Sequence, residues 1–361
     1  MTLVHATVLP TLAVSGQMQP ARAESALEIW EAVDRLVDRA PSLADLRSHR
    51  LELFAARRWR SRGIPVPEDL VEQERRAAVV TLAAPVLLER VRAACDGEIV
   101  MLKGLDVAAR YPDPALRAFG DVDLLVSDAS AVQGALLAAG FEEVGDPSLY
   151  LGIHHLRPLR WPDLPLVVEI HSRPKWIDGG PVAPTTAELL AVAVPSELGV
   201  KVLPPAYHAL LLAAHSWAHE PLRRLRDLID VAVMAEAAGR SEVAELARAW
   251  RIERLWRVTI AAADAVLLGM DRPWALHLWA QNLAKARERT VLENHLQRWL
   301  SDFWVMSPLA AAARIPATVG NELRPEGDEG WGNKLSRSLR AMRNASQRRS
   351  AHDAEVERRK R

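Results

Sequence analysis

The 361-residue chain has little cysteine, few aromatic residues and no net charge. Cys95 is its single cysteine, so no disulfide can close within the chain. That usage fits a reducing compartment, and a cytoplasmic location is expected. Aromatic residues amount to 5%, and none follows Trp331, so the end of the chain offers no ring for base stacking. Lys plus Arg and Asp plus Glu balance at 46 each, so overall charge gives no reason to expect nucleic-acid binding. No apolar run approaches the roughly 20 residues of a membrane helix, and no membrane partner is expected. Residues 1–23 are mildly apolar and end in Ala-Arg-Ala, but Pro10 interrupts them and no basic cluster precedes; they read as a flexible N-terminus rather than a signal peptide.

The composition that is present suits a globular protein of one large or two medium domains: 49% apolar and 25% charged residues. Charge is uneven locally. Residues 334–361 carry ten Lys/Arg against three Asp/Glu, a net of +7. This stretch, with SRSLRAMRNASQRRS, offers itself to RNA or an acidic partner, and a solvated or disordered end is the plainer expectation.

Periodicity divides the chain. Residues 24–60 show apolar positions at helical spacing (Leu27, Ile29, Trp30, Val33, Leu36, Val37), with Ser25 as a candidate cap. A second long helix is predicted over 67–95. The pattern then shortens. EIVML (98–102) reads as a buried strand ending in Lys103-Gly104, and 105–111 as a short helix stopped by Pro112 and Pro114. DVDLLV (121–126) reads as a strand, 129–139 as a helix capped by Asp128 and ended by Gly140, and 141–144 as a third strand. Another strand is expected within 149–160, and LPLVVEIHS (164–172) is a strong one. From 204 onward the pattern is helical, with further segments near 241–268, 272–286 and 288–305. The expected class is α+β: a small mixed-sheet core over 97–200, an N-terminal helical region over 24–96, a C-terminal helical domain over 201–319, and a basic, partly disordered tail over 320–361.

The chemistry concentrates in the short-period region. Side chains alternate faces along a strand, so Asp121 and Asp123 point the same way while Val122 and Leu124 face the other. Two carboxylates one strand-step apart can jointly hold divalent metals, and Glu169, which interrupts the apolar VVEIH, is the candidate third. Against this, Asp-x-Asp alone is a weak signal, since aspartates at loop edges often cap helices. His171 shares a strand face with Glu169, and one of His154 and His155 should face the same site. His208, His215 and His219 fall on one helix face, but Ser216 follows His215 where a zinc protease needs glutamate, so that chemistry is excluded. Arg117 has Asp113 as an obvious surface partner, and Arg226 stands four residues before Asp230, the spacing of an ordinary helix salt bridge.

Taken together, Leu102-Lys103-Gly104, Tyr111-Pro112-Asp113-Pro114, Arg117, Gly120-Asp121-Val122-Asp123-Leu124-Leu125-Val126, Val168-Glu169-Ile170-His171 and His215…Arg224-Leu225-Arg226-Asp227-Leu228-Ile229-Asp230 resemble a bacterial family of uncharacterised nucleotidyltransferases in the polymerase-β-like superfamily. The resemblance covers roughly 98–235. It implies an enzyme that moves a nucleoside monophosphate from an NTP, ATP among the candidates, to a hydroxyl-bearing acceptor with release of pyrophosphate. Asp121, Asp123 and Glu169 would be catalytic and would bind two Mg²⁺ ions, with Mn²⁺ as the substitute. Lys103, Gly104, Arg117, His171 and Arg226 would contact the nucleotide or its phosphates. Leu105 stands where the wider superfamily commonly has serine after the glycine. The acceptor is left open among RNA, protein, peptide and small molecule. Rival readings keep the fold but make the chain a toxin-like modifier of tRNA or protein, a phosphotransferase, or a non-catalytic nucleotide- or partner-binding module.

Overall fold

The computed structural model describes residues 20–40, 42–150, 152–177, 180–219, 221–279, 290–292, 300–325 and 330–347. The fold is α+β. Residues 1–19 of the expected flexible N-terminus, much of the segments expected near 272–286 and 288–305, and residues 348–361 of the basic tail lie outside the described residues.

The helical reading of 24–60 resolves into three helices: α1 (Pro20–Arg39), α2 (Leu43–Ser48) and α3 (Glu52–Ser61). Ser25 therefore lies inside α1 rather than at its start. Ser42 does the capping instead, its hydroxyl accepting the Asp45 N–H. Arg50 separates α2 from α3 because its backbone turns left-handed, φ +57°, which no helix continues. Helix α4 (Glu68–Ala94) follows the predicted bounds closely.

The core holds β1 (Val100–Met101), α5 (Leu105–Ala108), β2 (Asp121–Leu125), α6 (Ala129–Ala138), β3 (Glu142–Glu143), β4 (Leu159–Arg160), β5 (Val167–His171), α7 (Thr186–Val192), β6 (Val194–Pro195) and β7 (Lys201–Val202). The seven strands form one mixed sheet in the order β3-β4-β5-β2-β1-β7-β6. The strand expected over 149–160 shrinks to β4, preceded by a 3₁₀ turn at Pro147–Tyr150 and one isolated bridge from His155 to His171. Pro147 and Pro158 lack an N–H for a ladder, and Gly152 turns left-handed at φ +71°, so a long strand cannot form there. Asp128 caps α6 as expected, its carboxylate accepting the Ala131 N–H.

Alternation sorts the central strands. Val122, Leu124, Val168 and Ile170 pack on Val80, Ala84, Leu87, Leu88 and Val91 of α4. Leu125, with Val100 and Leu102 from around β1, packs on the other face against Leu189, Leu190 and Leu211. Each fully buried leucine or isoleucine contributes roughly 1.5–3 kcal/mol from removing apolar surface from water. Burial on both faces explains why β2 and β5 are near-continuous apolar runs apart from their functional side chains.

The C-terminal helices are α8 (Pro205–His219), α9 (Leu225–Ala238), α10 (Arg240–Ala249), α11 (Glu253–Leu267), α12 (Trp274–Trp279), α13 (Asp302–Val305) and α14 (Pro308–Leu323). Ile29, Val33 and Val37 of α1 belong to the same apolar cluster as Leu228, Ile229 and Val231 of α9 and Leu255 of α11. The N-terminal helices α1–α3 thus share a core with the C-terminal ones. One correction concerns the tail: residues Trp331–Ser346 form helix α15, not irregular chain. Trp331, Leu335, Leu339 and Met342 recur at spacings of four, four and three on it and are all exposed. The low apolar content of the segment hid that stripe. Among the described residues no helix is long and apolar enough to cross a membrane.

Candidate active site

Strand β2 runs parallel to β5, and the register sets Asp123 directly beside Glu169, with Asp121 beside Val167 and Leu125 beside His171. Register partners share a face, so Asp121, Asp123, Glu169 and His171 all project from the α8 side of the sheet. Asp123 is 1% exposed. Its Oδ1 accepts from His171 Nε2 at 2.9 Å and lies 3.3 Å from the Lys103 ammonium, while its Oδ2 has no protein partner. Glu169 Oε2 stands 3.7 Å from Nε2 of both His171 and His155. Asp123, Glu169 and His171 each offer one ligand atom, all within 4.8 Å of one another. Asp121 lies one pleat along β2, outside that group.

Electrostatics separate the two aspartates. Burial pushes the Asp121 carboxyl up, and the neighbouring Asp123 charge adds to the rise. Burial also opposes ionisation of Asp123, but Lys103 and His171 outweigh it and hold that carboxyl far below the usual carboxylate range. In return Asp123, Asp121 and Glu169 raise Lys103 against its own burial. His154, 5.3 Å from the His171 ring, is pulled down to about 3 by burial and by the positive potential of His171 and His155, so it stays neutral.

Gly104 follows Lys103 with φ +99°, a conformation strained for any side-chain-bearing residue. A Cβ there would meet only an ordinary contact, 3.7 Å from the Asp121 carbonyl, so conformation rather than crowding requires the glycine. Beyond Gly104 and Asp121 opens a cleft of ≈530 Å³, whose basic lining is Arg50, Lys103, Arg117, Arg223, Arg224 and Arg226. Partial burial and the charges of Arg226 and Arg224 bring the Arg50 guanidinium down to about 10. Arg226 is 9% exposed; its Nη1 donates to the Ala118 carbonyl at 2.7 Å and its Nε finds no protein acceptor. The helix salt bridge from Arg226 to Asp230 therefore does not form.

A model of the family described as uncharacterised nucleotidyltransferase matches residues 40–267. The chain belongs to this family. No curated protein and no solved structure matches it. Membership in the nucleotidyltransferase family supports a transferase whose substrate is a nucleotide, and the matched span contains the acids, Lys103-Gly104 and the whole basic cleft.

In this family member, Arg117 departs from the expected phosphate contact. It is 4% exposed, and its Nε and Nη2 both donate to Asp230, each at 2.8 Å. Tyr111 donates to the same carboxylate at 2.6 Å. Its remaining Nη1 reaches the Gly104 carbonyl at 3.4 Å. Arg117 is thus a positioning residue that ties α9 to the turn carrying Gly104. Asp113, its expected partner, instead caps the 3₁₀ turn Pro114–Leu116 through the Ala115 N–H.

The histidines divide similarly. His215 Nε2 lies 3.4 Å from Lys103 Nζ, next to the site. His208, fully buried, places Nδ1 3.0 Å from the Asp106 carboxylate of α5, behind the Lys103-Gly104 turn. The His219 side chain lies outside the described residues. His154 and His155 both approach His171, by a turn and one bridge rather than a strand. Sequence reasoning missed Arg50 and Arg223, and gave no role to Arg224, which stands in the family-like Arg224-Leu225-Arg226 segment. That run carried a signal for Arg223, whereas nothing local marks Arg50, which arrives from the N-terminal helices.

The donor set fits divalent cations. The buried, unpartnered Asp123 Oδ2 needs a positive partner, and three anionic side chains face Lys103 and His171 with negative charge to spare.

Proposed function

We propose that this protein is a Mg²⁺-dependent nucleotidyltransferase that moves a nucleoside monophosphate from an NTP to a hydroxyl-bearing acceptor and releases pyrophosphate. The observation that carries the proposal is the parallel register that seats Glu169 beside Asp123, with Asp121 on the same face at the edge of an arginine-lined cleft.

The chain's own groups divide the work. Arg223, Arg224, Arg226 and Lys103 bind the triphosphate, and Arg226 Nε, a buried donor without a protein acceptor, is poised for one of its oxygens. Gly104 holds the turn that presents Lys103. Glu169 takes the proton of the acceptor hydroxyl as its oxygen bonds to the α-phosphorus and the bridge to the β-phosphate breaks. Asp121, Asp123 and Glu169 would hold two divalent ions, Mg²⁺ or Mn²⁺, which would supply charge neutralisation at the α-phosphate and at the departing pyrophosphate.

The test uses the full chain, each of the four NTPs carrying label at either the α- or the γ-phosphate, and a cell lysate as acceptor source. Label entering an RNase- or protease-sensitive species from the α-position only is the expected result and also identifies the acceptor class. Label from the γ-position only would make the protein a phosphotransferase and overturn the proposal. Arg224→Ala is expected to raise the KM for NTP about tenfold with little change in unfolding midpoint, since a charge-assisted hydrogen bond is worth roughly 1.5–3 kcal/mol. Initial rates against NTP concentration check this; an unchanged KM would place the phosphates elsewhere.

A further inference from the structure

The two metal positions of the proposed site are chemically different. Asp121 borders the basic cleft, so a cation it shares with Asp123 faces phosphate oxygens and has only oxygen donors. The inner position is built from Asp123, Glu169 and His171 and includes an imidazole nitrogen. We infer that His171 is a direct ligand of the inner cation and that this position selects Mn²⁺ over Mg²⁺. The inference rests on the metal-binding part of the reading above.

The geometry suits one coordination sphere. Ligands at about 2.1 Å from an octahedral ion lie about 3 Å apart along an edge and about 4.2 Å apart across it. Asp123 Oδ1 and His171 Nε2 are 2.9 Å apart and His171 Nε2 and Glu169 Oε2 3.7 Å, and the three side chains offer ligand atoms within 4.8 Å of one another; the cation would displace the Nε2 proton that Asp123 accepts. The backbone fixes this arrangement. Asp123 and Glu169 are register partners, and His171 lies on the same face of the same strand, two residues beyond Glu169. His171 is 3% exposed, so the ring cannot swing into solvent. His155 Nε2, 3.7 Å from Glu169, adds a second imidazole at the rim.

Donor chemistry supplies the selectivity. Mg²⁺ is a hard ion that takes oxygen ligands and retains water, whereas mixed carboxylate and imidazole sets favour first-row transition ions. Mn²⁺ accepts both donor types, and a site with two carboxylates and one imidazole suits it.

The experiment titrates the full chain with MnCl₂, without nucleotide, and reads bound Mn²⁺ by electron paramagnetic resonance, including the spin-echo modulation from a directly coordinated nitrogen. Wild type is expected to bind Mn²⁺ with nitrogen modulation and to require at least about a hundredfold excess of Mg²⁺ for displacement. His171→Asn is expected to lose the modulation, to bind Mn²⁺ about tenfold more weakly, and to narrow the Mg²⁺ excess correspondingly. Absence of nitrogen modulation in wild type would overturn the inference, whatever the folding of the variant. Modulation that survives in His171→Asn but vanishes in His155→Asn would also overturn it. Label transfer measured in parallel separates the two readings. Transfer without nitrogen coordination leaves the reaction standing and removes this inference; nitrogen coordination without transfer does the reverse.

Discussion

Asp123→Asn is expected to reduce transfer of α-phosphate label by about three orders of magnitude or more. Asparagine keeps the shape of the side chain and removes its charge. The residue is 1% exposed and its oxygens face Lys103 Nζ, His171 Nε2 and an unpartnered direction, so the lost charge cannot be replaced by solvent. Loss of a metal-based stabilisation of several kcal/mol, about 4, corresponds to about a thousandfold in rate. Initial rates of label transfer measure the effect, and far-ultraviolet circular dichroism with a thermal melt shows whether the variant is folded. A folded variant that transfers label at the wild-type rate would rule out Asp123 as the centre of the site. Asp121→Asn is a graded comparison. Burial and the Asp123 charge raise its carboxyl, an effect that a cation beside it would offset.

The second large effect concerns stability. Asp230→Ala is expected to cost about 3–5 kcal/mol, read from urea unfolding. The substitution removes the acceptor of two Arg117 donors and of the Tyr111 hydroxyl, all three residues being at most 5% exposed. What remains is a buried guanidinium without its counter-charge, and this accounts for most of the penalty. A double variant, Arg117→Met with Asp230→Leu, should recover much of the loss because no charge is then stranded. A cost below about 1 kcal/mol for Asp230→Ala would mean that Arg117 finds another partner and that the brace is dispensable.

The same brace has a pH signature. Burial alone would raise Asp230, but Arg117 and the Tyr111 hydrogen bond hold its folded-state carboxyl below the usual carboxylate range. A depressed carboxyl contributes stability that is fully present above its unfolded value and is lost as the pH falls through the folded one. Wild type should therefore lose stability in the acid range below about pH 4, and Asp230→Asn should show a flatter dependence there. Matching slopes would contradict the linkage.

Much of this protein was determined by its sequence alone. Asp-Val-Asp-Leu-Leu in a strand forces the two acids onto one face and the apolar residues onto the other, since the period of a strand is two. The Lys103-Gly104 turn, the Asp128 cap and the long helix α4 were legible for similarly local reasons: each depends on residues within a turn or two of one another. What local pattern could not decide was which side chains meet across the chain. Asp230 lies 113 residues from Arg117, and nothing near either residue says that they pair. Nor does any neighbour of Arg50 reveal that it lines the same cleft as Arg224. His171 read as a companion of Glu169, but its place beside Asp123, 48 residues away in sequence, needed the register of two strands. Hydrogen-bond registry and helix packing make those choices, because the free energy of burying a charge depends on the partner that arrives from elsewhere in the fold.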